Sequence, residues 1–85
     1  MSDDDRSGLG DALRHNLAKR VRLLRAAKDW SQEDLAHESG KDRATIARVE
    51  GTGRFPTVST LLKIANALDI PLADLFCDEA GQPIP

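Results

Sequence analysis

Eighty-five residues, of which 40% are hydrophobic and 31% are charged, suffice for one compact domain with a small core and leave little room for a second. The single cysteine, Cys77, excludes an intrachain disulfide and a cysteine-based zinc site, and no apolar run approaches the roughly 20 residues of a membrane span. The net charge of −2 hides a segregation, because ten of the twelve basic residues lie between Arg14 and Arg54. A solvated helix face explains such clustering more simply than a polyanionic partner does, so charge alone does not decide between them.

The first residues, MSDDDRSG, are acidic and lack the apolar segment of a secretory signal. We therefore expect a cytoplasmic protein whose residues 1–11 form an acidic, disordered tail. Leucine and valine then recur at helical spacing, which predicts an amphipathic helix from about Ala12 to Lys28 with Asp11 as its cap. The core positions of this helix are Leu13, Leu17, Val21 and Leu24.

A second helix is predicted after Ser31, whose hydroxyl can cap the free amides at the helix start. Gly40 ends that helix, since glycine adopts the left-handed backbone of a helix end without steric penalty. A third helix opens at Lys41 or Asp42 and runs to Glu50. Its large apolar residues, Ile46 and Val49, anchor one face and leave the polar residues outside.

Two more helices complete the predicted core. The fourth begins near Thr57, and we expect its inward residues to be Val58, Leu61, Leu62, Ala65 and Leu68. The fifth is short and follows Pro71, with Leu72, Leu75 and Phe76 closing the core. The prediction is an all-α domain of five helices over residues 12–76, followed by a C-terminal tail, 77–85, that either frays or contributes to a dimer contact.

A glycine turn between two short helices, the second anchored by Ile46 and Val49, can present that second helix to a groove. The stretches "SQEDLA", "TIARVEG" and "LLKIANALDIPLADLF" follow one another around that turn. In this order and spacing, residues 13–76 resemble the lambda-repressor-like helix-turn-helix family of the Cro or XRE type. Lys41 stands where that family commonly has an apolar residue, and Asp29 and Trp30 replace a glycine and an aliphatic residue.

The resemblance implies double-stranded DNA as a partner and a role for particular residues. Base-facing positions of the third helix are Arg43, Ala44 and Arg48; an arginine can form two parallel hydrogen bonds to guanine, although it also serves as a phosphate contact. Implied phosphate contacts are Gln32, Lys41, Thr45 and Arg54, with Gln32 alternatively an ordinary exposed side chain. Relatives also pair the residues at Arg25 and Glu50 in a partly buried ion pair, which is a structural role.

No catalytic constellation or metal-ligand spacing is present, so we expect no enzyme activity, no cofactor and no metal. His15 and His37 fit surface or packing roles, and Trp30 fits the core better than a base-stacking platform. The acidic N-terminus either aids solubility or lowers nonspecific DNA affinity.

The function that the resemblance implies is a homodimeric transcriptional regulator that reads palindromic half-sites, with the segment from Ile70 to Pro85, including Phe76 and Ile84, as the dimer contact. A restriction-modification controller, a phage-type repressor and an antitoxin-like protein that binds a protein partner stay open. RNA binding is disfavoured, because the A-form major groove is too narrow for the helix.

Overall fold

The computed structural model describes residues 3–51, 53–77 and 82, which form four α-helices and one 3₁₀ helix. The α-helices are α1 (Asp3–Ala27), α2 (Gln32–Ser39), α3 (Arg43–Glu50) and α4 (Val58–Ala67), and the 3₁₀ helix is Leu72–Phe76. The all-α prediction is confirmed, but the prediction of five α-helices is wrong because the fifth segment is a 3₁₀ helix. Its five residues follow a proline, and its first bond spans three residues, with the Asp74 amide donating to the Pro71 carbonyl at 3.0 Å.

The start of α1 corrects the sequence prediction. The helix begins at Asp3 and continues through Asp11, where a cap was expected, so residues 3–11 are helical where a disordered tail was predicted. The predicted C-terminal tail lies outside the described residues apart from Cys77 and Gln82, and so does Ile84 of the predicted dimer contact.

Asp29 adopts a left-handed backbone after the end of α1, with φ 58°. The Trp30 amide donates to the Arg25 carbonyl at 3.2 Å and the Asp29 amide donates to the Ala26 carbonyl at 2.9 Å. These bonds satisfy carbonyl groups that the helix end leaves free. A glycine is usual at this position in the family because only glycine adopts this backbone at no steric cost.

The turn between α2 and α3 is fixed from both sides. Ser31 and Asp34 form a reciprocal capping box at the start of α2, with the Asp34 amide donating to Ser31 Oγ at 3.1 Å. At the other end Gly40 has φ 72°, and the Lys41 amide donates to the Ala36 carbonyl at 2.9 Å. Asp42 caps α3 by accepting from the Thr45 amide at 2.8 Å. The predicted Ser31 cap and turn glycine are therefore confirmed, and Asp42 is the N-cap of α3, which begins at Arg43.

Each helical segment contributes at least one aliphatic side chain with no exposed surface to the core, and the list is Leu17, Val21, Leu35, Ile46, Ile64 and Leu75. On α4 the inward stripe comprises Leu61, Ile64 and Ala65, continued by Leu68 just after the helix, which is the 3–4 spacing of one helix face. Val58 and Leu62 fall outside this stripe and are 63% and 44% exposed, so their predicted inward orientation is wrong.

Candidate nucleic-acid interface

The two sides of α3 differ sharply in exposure. Ile46, Val49 and Glu50 are buried, so they fix one side of the helix to the rest of the domain. The exposed residues of α3 are Arg43, Ala44, Ala47 and Arg48, which share the opposite side at helical spacing. Two arginines therefore project from a surface that the alanines keep shallow. Ala47 was not among the predicted base-facing positions, although its spacing of three and four residues from Ala44 and Arg43 is sufficient to place it there.

Four of the predicted contact residues line one cavity of about 720 Å³ between α3 and the start of α4: Lys41, Thr45, Arg48 and Arg54. Its lining also includes the apolar residues Val49, Phe55 and Pro56. Three cationic side chains around one depression suit an anionic group such as a phosphate. Arg43 and Ala44 lie outside this lining, so the predicted residues divide into an outward helix face and a cationic cavity that share Arg48.

The start of α3 places a negative charge close to these cations. Hydrogen bonding by the Thr45 side chain and amide lowers the pKa of Asp42 below its ordinary value, and the charge of Arg48 acts in the same direction. Arg48 also donates from Nη2 to Thr45 Oγ1 at 3.3 Å. The Arg48 side chain thus lies along α3 towards the helix start.

Arg25 and Glu50 join α1 to the end of α3. Arg25 donates from Nε to Glu50 Oε2 at 2.6 Å and from Nη2 to Oε1 at 3.0 Å, while its Nη1 donates to the Trp30 carbonyl at 2.6 Å. The hydrogen bond with Glu50 raises the pKa of Arg25, although partial burial opposes this shift. Gln32 Nε2 also donates to Glu50 Oε1, at 3.3 Å. The side chain of Gln32 is therefore directed to the ion pair. The groups at this position that suit a phosphate are the backbone amides in the first turn of α2.

Sequence reasoning missed two further arginines of α1. Arg14 is 3% exposed and donates from Nη2 to the Arg48 carbonyl at 2.6 Å and from Nη1 to the Val49 carbonyl at 2.8 Å. Arg22 donates from Nη1 to the Glu50 carbonyl at 2.7 Å. A signal for Arg14 existed, because it stands three residues before Leu17 and eleven before Arg25, on the core-facing stripe of α1.

Neither a metal cluster nor a membrane span is found in the part of the chain that the structure describes. Its His, Cys, Asp and Glu side chains form no group of three that could hold an ion. None of its helices combines the length and the apolar character needed to cross a bilayer.

Residues 21–75 match the HTH_3 family model, described as helix-turn-helix. The chain belongs to this helix-turn-helix family. The matched segment holds every residue predicted to contact DNA, and it begins after Arg14.

Controller proteins are among the relatives in this family. The restriction-modification controller protein C.AhdI from Aeromonas hydrophila superposes with a TM-score of 0.72 and 43% identity, covering 76% of this chain and 98% of that one. Control protein C.SmaI of Serratia marcescens is 42% identical over 60 residues, covering 71% of each chain. Both similarities cover more than two thirds of this chain.

A third relative, Antitoxin HipB of Escherichia coli, is 32% identical over 62 residues, which is 73% of this chain and 68% of HipB. Several regulators that the chain matches are longer proteins, of which it spans 23% to 60%. The similarity to these regulators therefore concerns only part of their length.

Proposed function

We propose that this protein is a sequence-specific DNA-binding transcriptional regulator, without enzyme activity, that acts in the cytoplasm and inserts α3 into the major groove. The observation that carries the proposal is the division of α3 into a buried apolar side and an exposed side bearing Arg43 and Arg48. A B-DNA major groove about 12 Å wide admits one α-helix. The shallow alanines allow the helix to approach the base edges closely.

The exposed side chains match the chemistry of base edges. Arg43 and Arg48 can each donate two parallel hydrogen bonds to guanine, and each good pair contributes roughly 1–3 kcal/mol of discrimination. Ala44 can contact a thymine methyl group. We therefore expect guanine-containing half-sites.

The residues around the exposed face of α3 have the chemistry of phosphate contacts. Lys41 precedes α3, Arg54 follows it, and both line the cavity that Thr45 and Arg48 also line. Phosphate contacts on either side of the helix fix its register on DNA without reading sequence. At the start of α2, the backbone amides beside Gln32 that have no intrahelical acceptor offer a further phosphate contact, in addition to Lys41, Thr45 and Arg54.

The biological setting that the similarities favour is that of a controller protein. Likeness to C.AhdI and C.SmaI over most of the chain supports this assignment above that of a phage-type repressor. Likeness to Antitoxin HipB supports a second candidate, an antitoxin-like protein that binds a toxin and represses its own operon. Co-expression with the product of the neighbouring gene separates the two, because the antitoxin requires a stable complex that changes operator affinity.

Selection of bound duplexes from a random DNA pool tests the proposal. Wild type is compared with Arg43→Ala and Arg48→Ala, and Lys63→Ala on α4 serves as a control that removes an exposed cation elsewhere. We expect wild type and Lys63→Ala to enrich the same guanine-containing palindrome, and each α3 variant to lose preference at particular guanines by about tenfold. Folded wild-type protein that enriches no sequence would contradict the proposal.

A further inference from the structure

Arg14 makes four hydrogen bonds to main-chain carbonyls of one region. Besides the Arg48 and Val49 carbonyls, it donates from Nε to the carbonyls of Gly53 and Arg54, both at 3.2 Å. Burial lowers the pKa of Arg14. The guanidinium is thus engaged with the protein interior, and its donors are not directed to solvent or to a ligand.

The carbonyls at the end of α3 need partners because of how this helix ends. The last carbonyls of a helix lack intrahelical donors. A left-handed residue after the helix usually turns the chain so that its backbone amides donate to them. Gly51 is instead extended, with φ −87° and ψ −168°, and its amide donates to the Arg48 carbonyl. Arg14 donates hydrogen bonds to the Arg48 and Val49 carbonyls, and Arg22 donates one to the Glu50 carbonyl. Side chains of α1 therefore add to the single backbone bond from Gly51 and satisfy the Val49 and Glu50 carbonyls at the end of α3.

The same guanidinium also fixes the loop after α3. Arg48 belongs to the last turn of α3 and Arg54 to that loop, and the side chains of both line the cationic cavity. Because Arg14 binds the carbonyls of both residues, it sets the spacing between two proposed DNA contacts. Its charge also offsets the negative end of the α3 dipole, which otherwise disfavours a nearby phosphate.

We propose that Arg14 is a positioning residue for DNA recognition, which holds the end of α3 and residues 53–54 so that Arg48 and Arg54 reach base and phosphate together. The inference rests on the proposed function. It goes beyond the family match, which begins at residue 21. Arg14 itself does not contact DNA.

The test compares Arg14→Lys with Ile64→Val. Lysine keeps the charge but lacks the planar donor set, and Ile64→Val loosens the core on α4, away from the Arg14 contacts. The probes are the duplex that wild type enriches from a random pool and a scrambled duplex of the same composition. Affinities for both are measured by fluorescence anisotropy over a salt series, at a temperature well below the lowest Tm.

We expect Arg14→Lys to lower the ratio of the two affinities by about tenfold, the size of one lost bidentate base contact. The salt slope for the scrambled duplex stays at the wild-type value, and Ile64→Val keeps the wild-type ratio. An Arg14→Lys variant with a lower Tm and an unchanged ratio would overturn the inference. A salt slope reduced by about one, with equal loss on both duplexes, would overturn it too, since that is the signature of a phosphate contact.

Two further outcomes are decided by other measurements. If circular dichroism shows that Arg14→Lys is unfolded, NMR of the wild type is used to follow the Arg14 Nε proton. Slow exchange of this proton with water, and a chemical shift that stays unchanged when duplex is added, support the inference. Fast exchange overturns it. If wild type enriches no duplex, the proposed function fails and the inference with it. If wild type enriches a duplex and Arg14→Lys keeps the ratio, the inference alone fails.

Discussion

Arg25 donates to both oxygens of Glu50, whose side chain is 3% exposed. We predict that Arg25→Ala lowers the free energy of unfolding by about 3–5 kcal/mol, because it leaves a buried carboxylate without its cation. The DNA sequence that the folded variant prefers stays the same, since neither partner lies on the exposed side of α3. Urea denaturation and duplex selection measure the two effects. Lost base preference at unchanged stability would show that the pair is part of the reading surface.

Some of the residues that form the site could be predicted from the sequence, and others could not. The Arg25 and Glu50 pair and the exposed Arg43, Ala44 and Arg48 could be placed from the resemblance and from helical spacing. Helical spacing places Arg14 on the core-facing stripe of α1, but its role could not be predicted, because an arginine among the charges of an amphipathic helix is usually solvated. Its acceptors are main-chain carbonyls, which any sequence supplies, so no partner residue marks the contact.

At the scale of single helices, the cap of α3 leads to a prediction about pH. Hydrogen bonds to Thr45 lower the pKa of Asp42 in the folded protein, so its carboxylate stabilises the fold above its ordinary pKa of 3.8 and loses that effect as pH falls through the lowered value. Asp42→Asn keeps a capping oxygen and removes the titration. We expect the Tm of wild type to exceed that of Asp42→Asn at neutral pH, and the difference to shrink below that ordinary value.

Thermal melts of both proteins at low salt, followed by circular dichroism, measure this difference. The two proteins differ at this position alone, so subtracting one melting temperature from the other at each pH isolates the effect of Asp42. A difference that stays constant from neutral pH to acid would show that the Asp42 charge contributes nothing.

Helix boundaries could be predicted from the sequence where a local residue sets them, and the prediction failed where no such residue does. Ser31 and Gly40 carry their own signals, a capping hydroxyl and a left-handed backbone. The start of α1 carries a weaker signal, because three aspartates suit both a helix N-terminus and a disordered segment. On α4, Val58 and Leu62 look like core residues by type, and tertiary packing alone decides that they face outward.

Two exposed apolar side chains on α4, Val58 and Leu62, suggest how two copies of the molecule contact each other. Val58 and Leu62 lie one turn apart and are 63% and 44% exposed, whereas Ile70 and Phe76 of the predicted dimer contact are partly buried against this chain's own core. A single small module buries little DNA-facing surface, so two copies reading half-sites about 34 Å apart give useful specificity. We propose that α4 forms a two-fold contact with a second copy.

We predict that Leu62→Glu weakens the proposed dimer by at least about tenfold, because each copy then buries a carboxylate in the contact in place of an apolar side chain. Sedimentation equilibrium over a concentration series measures the change. Lys63→Glu is the control, since it makes an even larger change towards negative charge, by two units, one residue along and on a different side of α4. Dimers of equal strength in both variants would exclude this face.

The bonds from Arg14 and Arg22 to the end of α3 also limit how this domain can be engineered. A graft of residues 31–51 into another scaffold would carry the caps of Ser31, Gly40 and Asp42 with it. It would leave behind the side-chain donors to the Val49 and Glu50 carbonyls, the second donor to the Arg48 carbonyl, and the guanidinium that neutralises Glu50. A transplant that is to keep its shape therefore has to include the α1 segment from Arg14 to Arg25.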